Sequence, residues 1–421
     1  MALVLLASVQ PISIKPPFLK DQNQGSDVSS LFLIGFLIGL VLLATLGHGY
    51  WWVDVVNRLH AWPGPRKLVD GATMLCMFTF LAVPVLVVAT WNQLDLTTVH
   101  SSHPKLLWLR SYVFLCAIWG FFKLIICGVN SLGRDDPRTL LQGRQENLNI
   151  ALPLSKDEFH GKFSQLLAKV PGNQVFQLTV DHKRLAIPRL SAHHEGLKIA
   201  HISDLHMTGR IGPKWYEVVA EQVNQLQADA IVITGDLVEQ EACWPWLADS
   251  LGRLRAKQGV FFIMGNHDFY VDTDRTRQLL RDQGLTCLSG CWIEKDWNGA
   301  PVILAGNERP WGPQVADLSA VPSKDSEQLP LKLMLLHTPD QFNWACDQEA
   351  DLAFAGHTHG GQIRFPLLGP IACPSNYGTR YACGVFRRRS TVMHVTRGIC
   401  GKTPLRLNCP PEIALLELAA G

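Results

Sequence analysis

Three stretches of almost uninterrupted apolar residues occupy the first third of this chain, at residues 31–50, 71–91 and 106–129. Each approaches the ~20 residues a helix needs to cross a bilayer, so they place this third of the chain in lipid. The first stretch carries no charged side chain, and the second contains Pro84, which in a membrane helix marks a kink. The third holds Arg110 near one end and Lys123 near the other, both long enough to snorkel toward headgroups. Trp51, Trp52, Trp91 and Trp108 stand at the edges, where interfacial aromatics belong. Composition leans the same way: of 421 residues 47% are apolar and only 18% charged.

Basic residues set an expected topology. Arg58, Arg66 and Lys67 lie between the first two stretches, and Arg134, Arg138 and Arg144 follow the third. The opposite side has Lys15, Lys20 and Lys105, so the positive-inside rule places the polar remainder on the cytoplasmic face of a multi-pass protein. Residues 1–9 are apolar but lack a basic n-region, which argues against a cleaved signal peptide. A formal charge of +2 gives no reason to expect a polyanionic partner, and Arg387-Arg388-Arg389 reads as a solvated turn, so nucleic acid is not expected. Eleven cysteines without a CxxC pair or regular spacing favour a reducing compartment for the polar part.

The chain divides into a membrane region at residues 1–130, a polar connector at 131–172 and a folded domain at 173–421. The connector shows no strand pattern, and within it residues 157–170 suit a helix at the membrane surface. Beyond it, short β-branched runs recur at residues 197–203, 230–234, 260–264, 301–305, 331–336 and 352–355, each reading as a buried strand. Between the first two, Trp215, Val218, Val219, Val223 and Leu226 fall at helical spacing behind Pro213. Residues 391–395 and 413–418 read as closing strands of an α/β domain.

Polar residues gather where these runs end. The blocks are Asp204-Leu205-His206, Gly235-Asp236, Gly265-Asn266-His267-Asp268, His337, and Gly356-His357-Thr358-His359. Ligands bind at the carboxyl ends of strands in α/β sheets, so five such ends converge on one crevice. Carboxylate, amide and imidazole donors suit Mn, Fe or Zn, and the absence of thiolates argues against a structural zinc knot. In extended chain, Asp-x-His and His-x-His put both side chains on one side, able to address one site. Two ions ~3.5–4 Å apart can activate a water and stabilise both oxygens of an in-line displacement. Singly these blocks are weak signals; it is the ordered set that points to a metal-dependent hydrolase.

That ordered set resembles the calcineurin-like metallophosphoesterases, over residues 176 to 421. His337-Thr338-Pro339-Asp340, the run from Gly356 to Gln362, and Arg397-Gly398, Pro404-Leu405-Arg406 and Pro411-Glu412 narrow it to a bacterial branch of membrane-associated phosphodiesterases. The resemblance implies an α/β/β/α two-sheet sandwich flanked by helices, here preceded by transmembrane helices, and two divalent ions as cofactors. Asp204, His206 and His359 would hold the first ion, Asp236 would bridge, and Asn266, His337 and His357 would hold the second. His267 would act beside the phosphate as acid or donor, oriented by Glu239 or else by Asp268. The implied location is the bacterial inner membrane. The implied substrate is a phosphodiester or pyrophosphate, lipid-linked or small; some similar membrane-bound enzymes hydrolyse UDP-2,3-diacylglucosamine. The competing reading is a membrane-embedded metal-binding scaffold without turnover. A transporter is disfavoured by the few charges within the apolar stretches. Trp292, Trp297 and Trp311, in the segment 269–332 before His337, are candidate pocket linings or ordinary packing.

Overall fold

The computed structural model describes residues 24–90, 107–132, 136, 138–148, 158–313, 315–321, 329–366 and 368–421. Residues 1–9, Lys15, Lys20, Trp91, Lys105 and Arg134, used above for topology, lie outside them.

The apolar stretches form helices α1 (Gln24–Ala61), α2 (Arg66–Ala89) and α3 (Leu107–Leu132). All three are long and apolar enough to cross a membrane. They turn large side chains outward, with Phe32 75% and Phe78 69% exposed, a surface that requires lipid rather than water around it. Helices α1 and α3 meet through small residues. A Cβ at Gly47 would lie 1.7 Å from the Cys116 carbonyl oxygen, and one at Gly120 would lie 2.2 Å from that of Leu43. Any side chain at either position would force the backbones apart. The His48 ring joins all three helices, lying 2.7 Å from the Tyr112 hydroxyl and 3.0 Å from the Phe80 carbonyl oxygen. Lys123 does not snorkel: its ammonium lies 2.7 Å from Asp54 of α1. Arg110 is likewise buried, its guanidinium 6.0 Å from the Phe114 ring centre. For Lys123, pairing with Asp54 meets the same need as reaching water, because a charge within apolar surroundings demands a partner.

The strands, in chain order, begin with β1 (Leu140–Asn147), β2 (Thr179–Ile187), β3 (Lys198–Ile202), β4 (Ala230–Thr234), β5 (Val260–Ile263) and β6 (Thr286–Cys287). They continue with β7 (Trp292–Trp297), β8 (Ala300–Asn307), β9 (Leu331–Leu336), β10 (Leu352–Ala355) and the short β11 (Arg364–Phe365) and β12 (Gly369–Pro370). The last are β13 (Gly384–Arg388), β14 (Thr391–Val395) and β15 (Glu412–Ala420). Two large sheets result, ordered β1-β2-β15-β3-β4-β5-β6 and β13-β14-β10-β9-β8-β7, and β11 and β12 pair as a separate two-stranded sheet. Pairing is parallel along β3-β4-β5-β6 and along β8-β9-β10-β14, with antiparallel strands at the outer edges of the second sheet.

The two-residue period of the strands explains the layering. Ile199, Val232, Phe261, Leu304, Leu335 and Phe354 point between the sheets into one core. Their neighbours Ala200, Ile231, Ile233 and Phe262 face Trp215, Val219 and Val223 of helix α4 (Pro213–Gln225). Ile303, Met334, Ala353 and Met393 face Phe342 and Ala345 on the far side of the second sheet. This is the four-layer sandwich, buried on both faces of each sheet.

The segment read as a connector contributes more than spacing. Residues 140–147 pair antiparallel with β2 as the edge strand of the first sheet. Their sequence is mostly polar and exposed along its whole length, so an alternation signal never arose. The surface helix expected there shortens to Lys162–Leu167.

Beneath the strand ends, a charged network crosses between β2, β14 and β15. Lys183 Nζ lies 2.8 Å from Glu412, whose other oxygen accepts the Arg397 N–H at 3.0 Å. Arg397 also donates to Thr179 at 2.7 Å, and Lys183 lies 3.1 Å from His394. Burial disfavours the charged Glu412, but Lys183 and Arg397 hold its pKa well below the ordinary glutamate value. Removing one partner from such a network strands the others and costs ~3–5 kcal/mol, whereas replacing the set by apolar groups costs less. The prediction is that Glu412→Gln lowers the thermal midpoint of the detergent-solubilised protein by roughly 10 °C. Lys183→Met combined with Glu412→Leu should recover part of that loss; an unshifted midpoint in Glu412→Gln would show the network is not under this constraint.

Candidate metal centre

The loops after β3, β4, β5, β9 and β10 deliver the five sequence blocks to one place. Three of them turn sharply as the strand ends, after β3, β4 and β10: Asp204, His206, Asp236, His357 and His359 all adopt positive φ, between 47° and 68°. Non-glycine residues rarely hold this left-handed conformation, which costs on the order of 1–3 kcal/mol at each position and clusters at functional sites. The pairs Asp204/His206 and His357/His359 are therefore not extended, as the spacing argument assumed. The tight turns matter for space too. A Cβ at Gly265 would sit 2.3 Å from Asp236 Oδ1 and 2.5 Å from the His337 ring, so only glycine lets this loop pass behind the site.

Donor atoms fall into overlapping groups, each within 4.8 Å mutually: Asp204, His206, Asp236 and His359; Asp236, His337 and His357; and His206, Glu239 and His267. Asp236 belongs to the first two. His357 and His359 separate into different groups, because the left-handed turn at each position rotates their side chains apart. Asn266 joins the second group, its Oδ1 2.9 Å from His337 Nε2.

Hydrogen-bond partners on the far side of each ring set which nitrogen points inward. His337 Nδ1 faces the Thr234 carbonyl oxygen at 2.7 Å, His359 Nδ1 that of Cys400 at 3.1 Å, and His206 Nδ1 the Glu239 carboxylate at 2.5 Å. Each contact places the proton on Nδ1 and leaves Nε2 as a free lone pair, the tautomer that metal-ligating histidines adopt. These lone pairs then face one another. His206 Nε2 and His359 Nε2 lie 3.2 Å apart, and His337 Nε2 lies 3.1 Å from His357 Nδ1. Asp236 Oδ2 and His357 Nε2 are buried without a hydrogen-bond partner among the described residues. Such a set, acceptor facing acceptor, fits divalent cations and fits little else.

Electrostatics agree with that fit. Burial pulls His337 down, but Asp236 and Asp204 more than reverse this and raise it to about 9. Burial opposes ionisation of Asp236, yet His337, His267 and His206 hold it well below the ordinary carboxylate value. His357 is pushed well below the usual imidazole value by burial and by His337, and His359 by burial and by His206. Neutral His357 and His359 and ionised Asp236 are in the states a metal requires. Against the pull of burial, the facing carboxylates raise His337 and His206, and burial itself raises Asp204, so all three gather protons that a bound cation would displace.

Glu239 spans two histidines. Its Oε1 meets His206, and its Oε2 lies 3.1 Å from His267 Nδ1. Burial raises this carboxyl, but both imidazoles draw it far below the usual range. Asp268 has a different task from orienting His267: its carboxylate accepts the backbone N–H groups of Leu237, Val238 and Gly265 at 2.7–2.9 Å, stapling two site loops. The three tryptophans also separate. Trp297 is in the core between the sheets and Trp292 packs against the far face of the second sheet, whereas the Trp311 ring lies 4.8 Å from that of His357 and walls the site.

Several contributors escaped the sequence reading. The Thr234 and Cys400 carbonyls are backbone and carry no residue signal. Arg406, fully buried, donates to the Arg397 and Cys400 carbonyls and so fixes the loop that orients His359. Tyr270 meets the His267 ring edge-on with ring centres 4.9 Å apart, and Arg66, from the first turn of α2, lies 4.1 Å above Tyr270. The membrane region thus reaches the site.

Comparison with known proteins follows the same outline. The family model for calcineurin-like phosphoesterase matches residues 197–361. The phosphodiesterase YaeI of Escherichia coli is 32% identical over 231 residues, 52% of this chain and 82% of the relative. A transmembrane protein with metallophosphoesterase domain from Danio rerio is 25% identical over 415 residues, covering 92% of this chain and 90% of the relative, membrane helices included. The UDP-2,3-diacylglucosamine pyrophosphatase LpxG of Chlamydia muridarum is 24% identical over 285 residues, 55% of this chain and 86% of the relative. With its four-layer fold, its ordered strand-end donors and these relatives, the chain belongs to the calcineurin-like metallophosphoesterases and is a membrane-associated phosphoester hydrolase.

Proposed function

We propose that this chain is a two-metal phosphodiesterase or pyrophosphohydrolase, anchored in the membrane with its catalytic domain on the cytoplasmic side. Its substrate is a lipid-linked phosphoester. The observation that carries the reading is the convergence of free imidazole lone pairs and two carboxylates on one buried point, with His267 beside it. Asp204, His206 and His359 would hold one ion, Asn266, His337 and His357 the other, and Asp236 both. Bound ions of this kind, Mn, Fe or Zn, supply an acidified water and Lewis-acid stabilisation of phosphoryl oxygens.

The protein's own groups do the rest. The His267 side chain is 17% exposed, against 13% for His359 and at most 1% for His206 and His337, so it is the imidazole best placed to meet substrate. With Nδ1 held toward the Glu239 carboxylate, the ring in its doubly protonated form presents Nε2–H as a donor to the leaving-group oxygen. Glu239 is a positioning residue that aligns His267 and His206 together. The Asp236 carboxylate also accepts the His267 backbone N–H at 2.8 Å, tying that donor's position to the centre. The name of the chlamydial relative gives a diacylated nucleotide sugar as its substrate, which supports a lipid-linked class here.

Full-length protein in detergent, loaded with Mn, should hydrolyse bis-p-nitrophenyl phosphate faster than p-nitrophenyl phosphate, and a chelator should abolish both reactions. Asp236→Asn should lose bound metal and fall below detection. His267→Gln should keep its metal by elemental analysis but lose ~10²–10⁴ in kcat. Glu239→Gln is expected to lose a smaller ~10–100-fold, with weaker metal retention. Protein that holds metal yet cleaves neither compound would support the scaffold reading and sink this one.

A further inference from the structure

The last turns of α1 do not end in solvent. Val56, Asn57 and His60 form one wall of a cavity of about 730 Å³, whose other walls include Ile363, Phe365, Ile371 and His359. That volume lies within the ~300–1,000 Å³ of small-molecule sites. Its one metal-centre residue is His359, so the chamber opens directly beside the proposed reaction point.

The polar side chains around it are mostly turned toward protein. Gln362 donates to the Thr403 and Leu405 carbonyls at 2.5 and 2.9 Å, Thr358 to that of Ala382 at 2.7 Å, and His359 Nδ1 faces Cys400. What remains facing the space is largely hydrocarbon. One polar atom is an exception. Asn57 is 4% exposed, and its Oδ1 accepts the Cys373 N–H at 3.0 Å, which fixes the amide's orientation. Its Nδ2 is buried with no partner among the described residues.

We propose that this cavity is a subsite for the acyl chain of a membrane-derived phosphoester, with the first membrane helix as one wall and Asn57 Nδ2 as donor to the chain's carbonyl oxygen. The proposal rests on the phosphodiesterase reading and adds where the lipid part binds. Its argument is continuity. Helix α1 is one unbroken helix from its lipid-facing residues to the cavity wall, so a chain leaving the bilayer stays against apolar surface until its phosphate reaches His359. Among the described residues lining these walls none is lysine or arginine, so the phosphates of a soluble nucleotide would find no fixed cation there.

The test uses full-length, Mn-loaded protein in one detergent at one concentration. The probes are two p-nitrophenyl phosphodiesters whose second ester group is ethyl or dodecyl. The dodecyl ester should show a KM at least tenfold below that of the ethyl ester. Val56→Trp and Ala372→Trp fill the cavity from opposite walls, and each should shrink that ratio to less than threefold while retaining metal. Equal KM values in the unsubstituted protein would overturn the proposal, and so would a ratio that survives both tryptophans. Failure to cleave either ester would instead overturn the phosphodiesterase reading beneath it.

Discussion

Asp204 and Asp236 are fully buried within reach of each other, and the groups facing them are imidazoles rather than lysine or arginine. Nearly everything in the catalytic half follows from holding those two carboxylates. An isolated buried carboxylate is costly, and two together are worse unless a cation stands between them. The parallel sheets answer by bringing five loops to one edge, three of them contributing donors at left-handed turns. The Asp268 staple then locks two of those loops together, and the Glu412 network anchors the strands beneath.

Much of this was readable in the sequence because the requirements are local. A parallel strand buried on both faces must be a short apolar run, and a ligand at its end must be polar, so Asp204, Asp236, Asn266, His337 and His357 each stood at a visible boundary. Most interior strands could be counted the same way, though β2 was missed along with the edge strands, and their division into two sheets was implied only by the family resemblance. The edge strand at residues 140–147 is exposed and polar, and no period marks it. Spacing rightly put Asp204 and His206 in one donor group but misjudged the other pair: all four residues take positive φ, and His357 and His359 fall in different donor groups.

What the sequence hid are contacts whose partners are backbone or far away. The proton positions on His337 and His359 depend on the carbonyls of Thr234 and Cys400, which any residue type would supply. Arg406 matters through the loop it holds, and its burial could not be foreseen from an isolated basic residue in a polar tail. Asp268 was a reasonable partner for His267 by adjacency; its side chain points instead to three backbone N–H groups, because satisfying buried donors takes precedence.

The approach of the membrane region to the site is the most distant of these contacts and the most consequential for specificity. An anchor needs only length and apolarity, and any one of the three helices would serve. Here, more than 200 residues of chain separate Arg66 from Tyr270, yet the guanidinium lies on that ring, and the ring lies against His267. Asn57 meets Cys373 across a longer separation still. These contacts fix the mouth of the site relative to the bilayer. A catalytic domain tethered by a flexible link would sample every orientation, and its site would meet soluble and lipid phosphoesters alike. Docked against α1 and α2, the same donors face a chamber walled partly by a membrane helix. On the proposed lipid reading, selectivity would come from which substrates can reach the metal centre with a hydrocarbon tail still in apolar contact, and the chemistry of that centre need not change to achieve it.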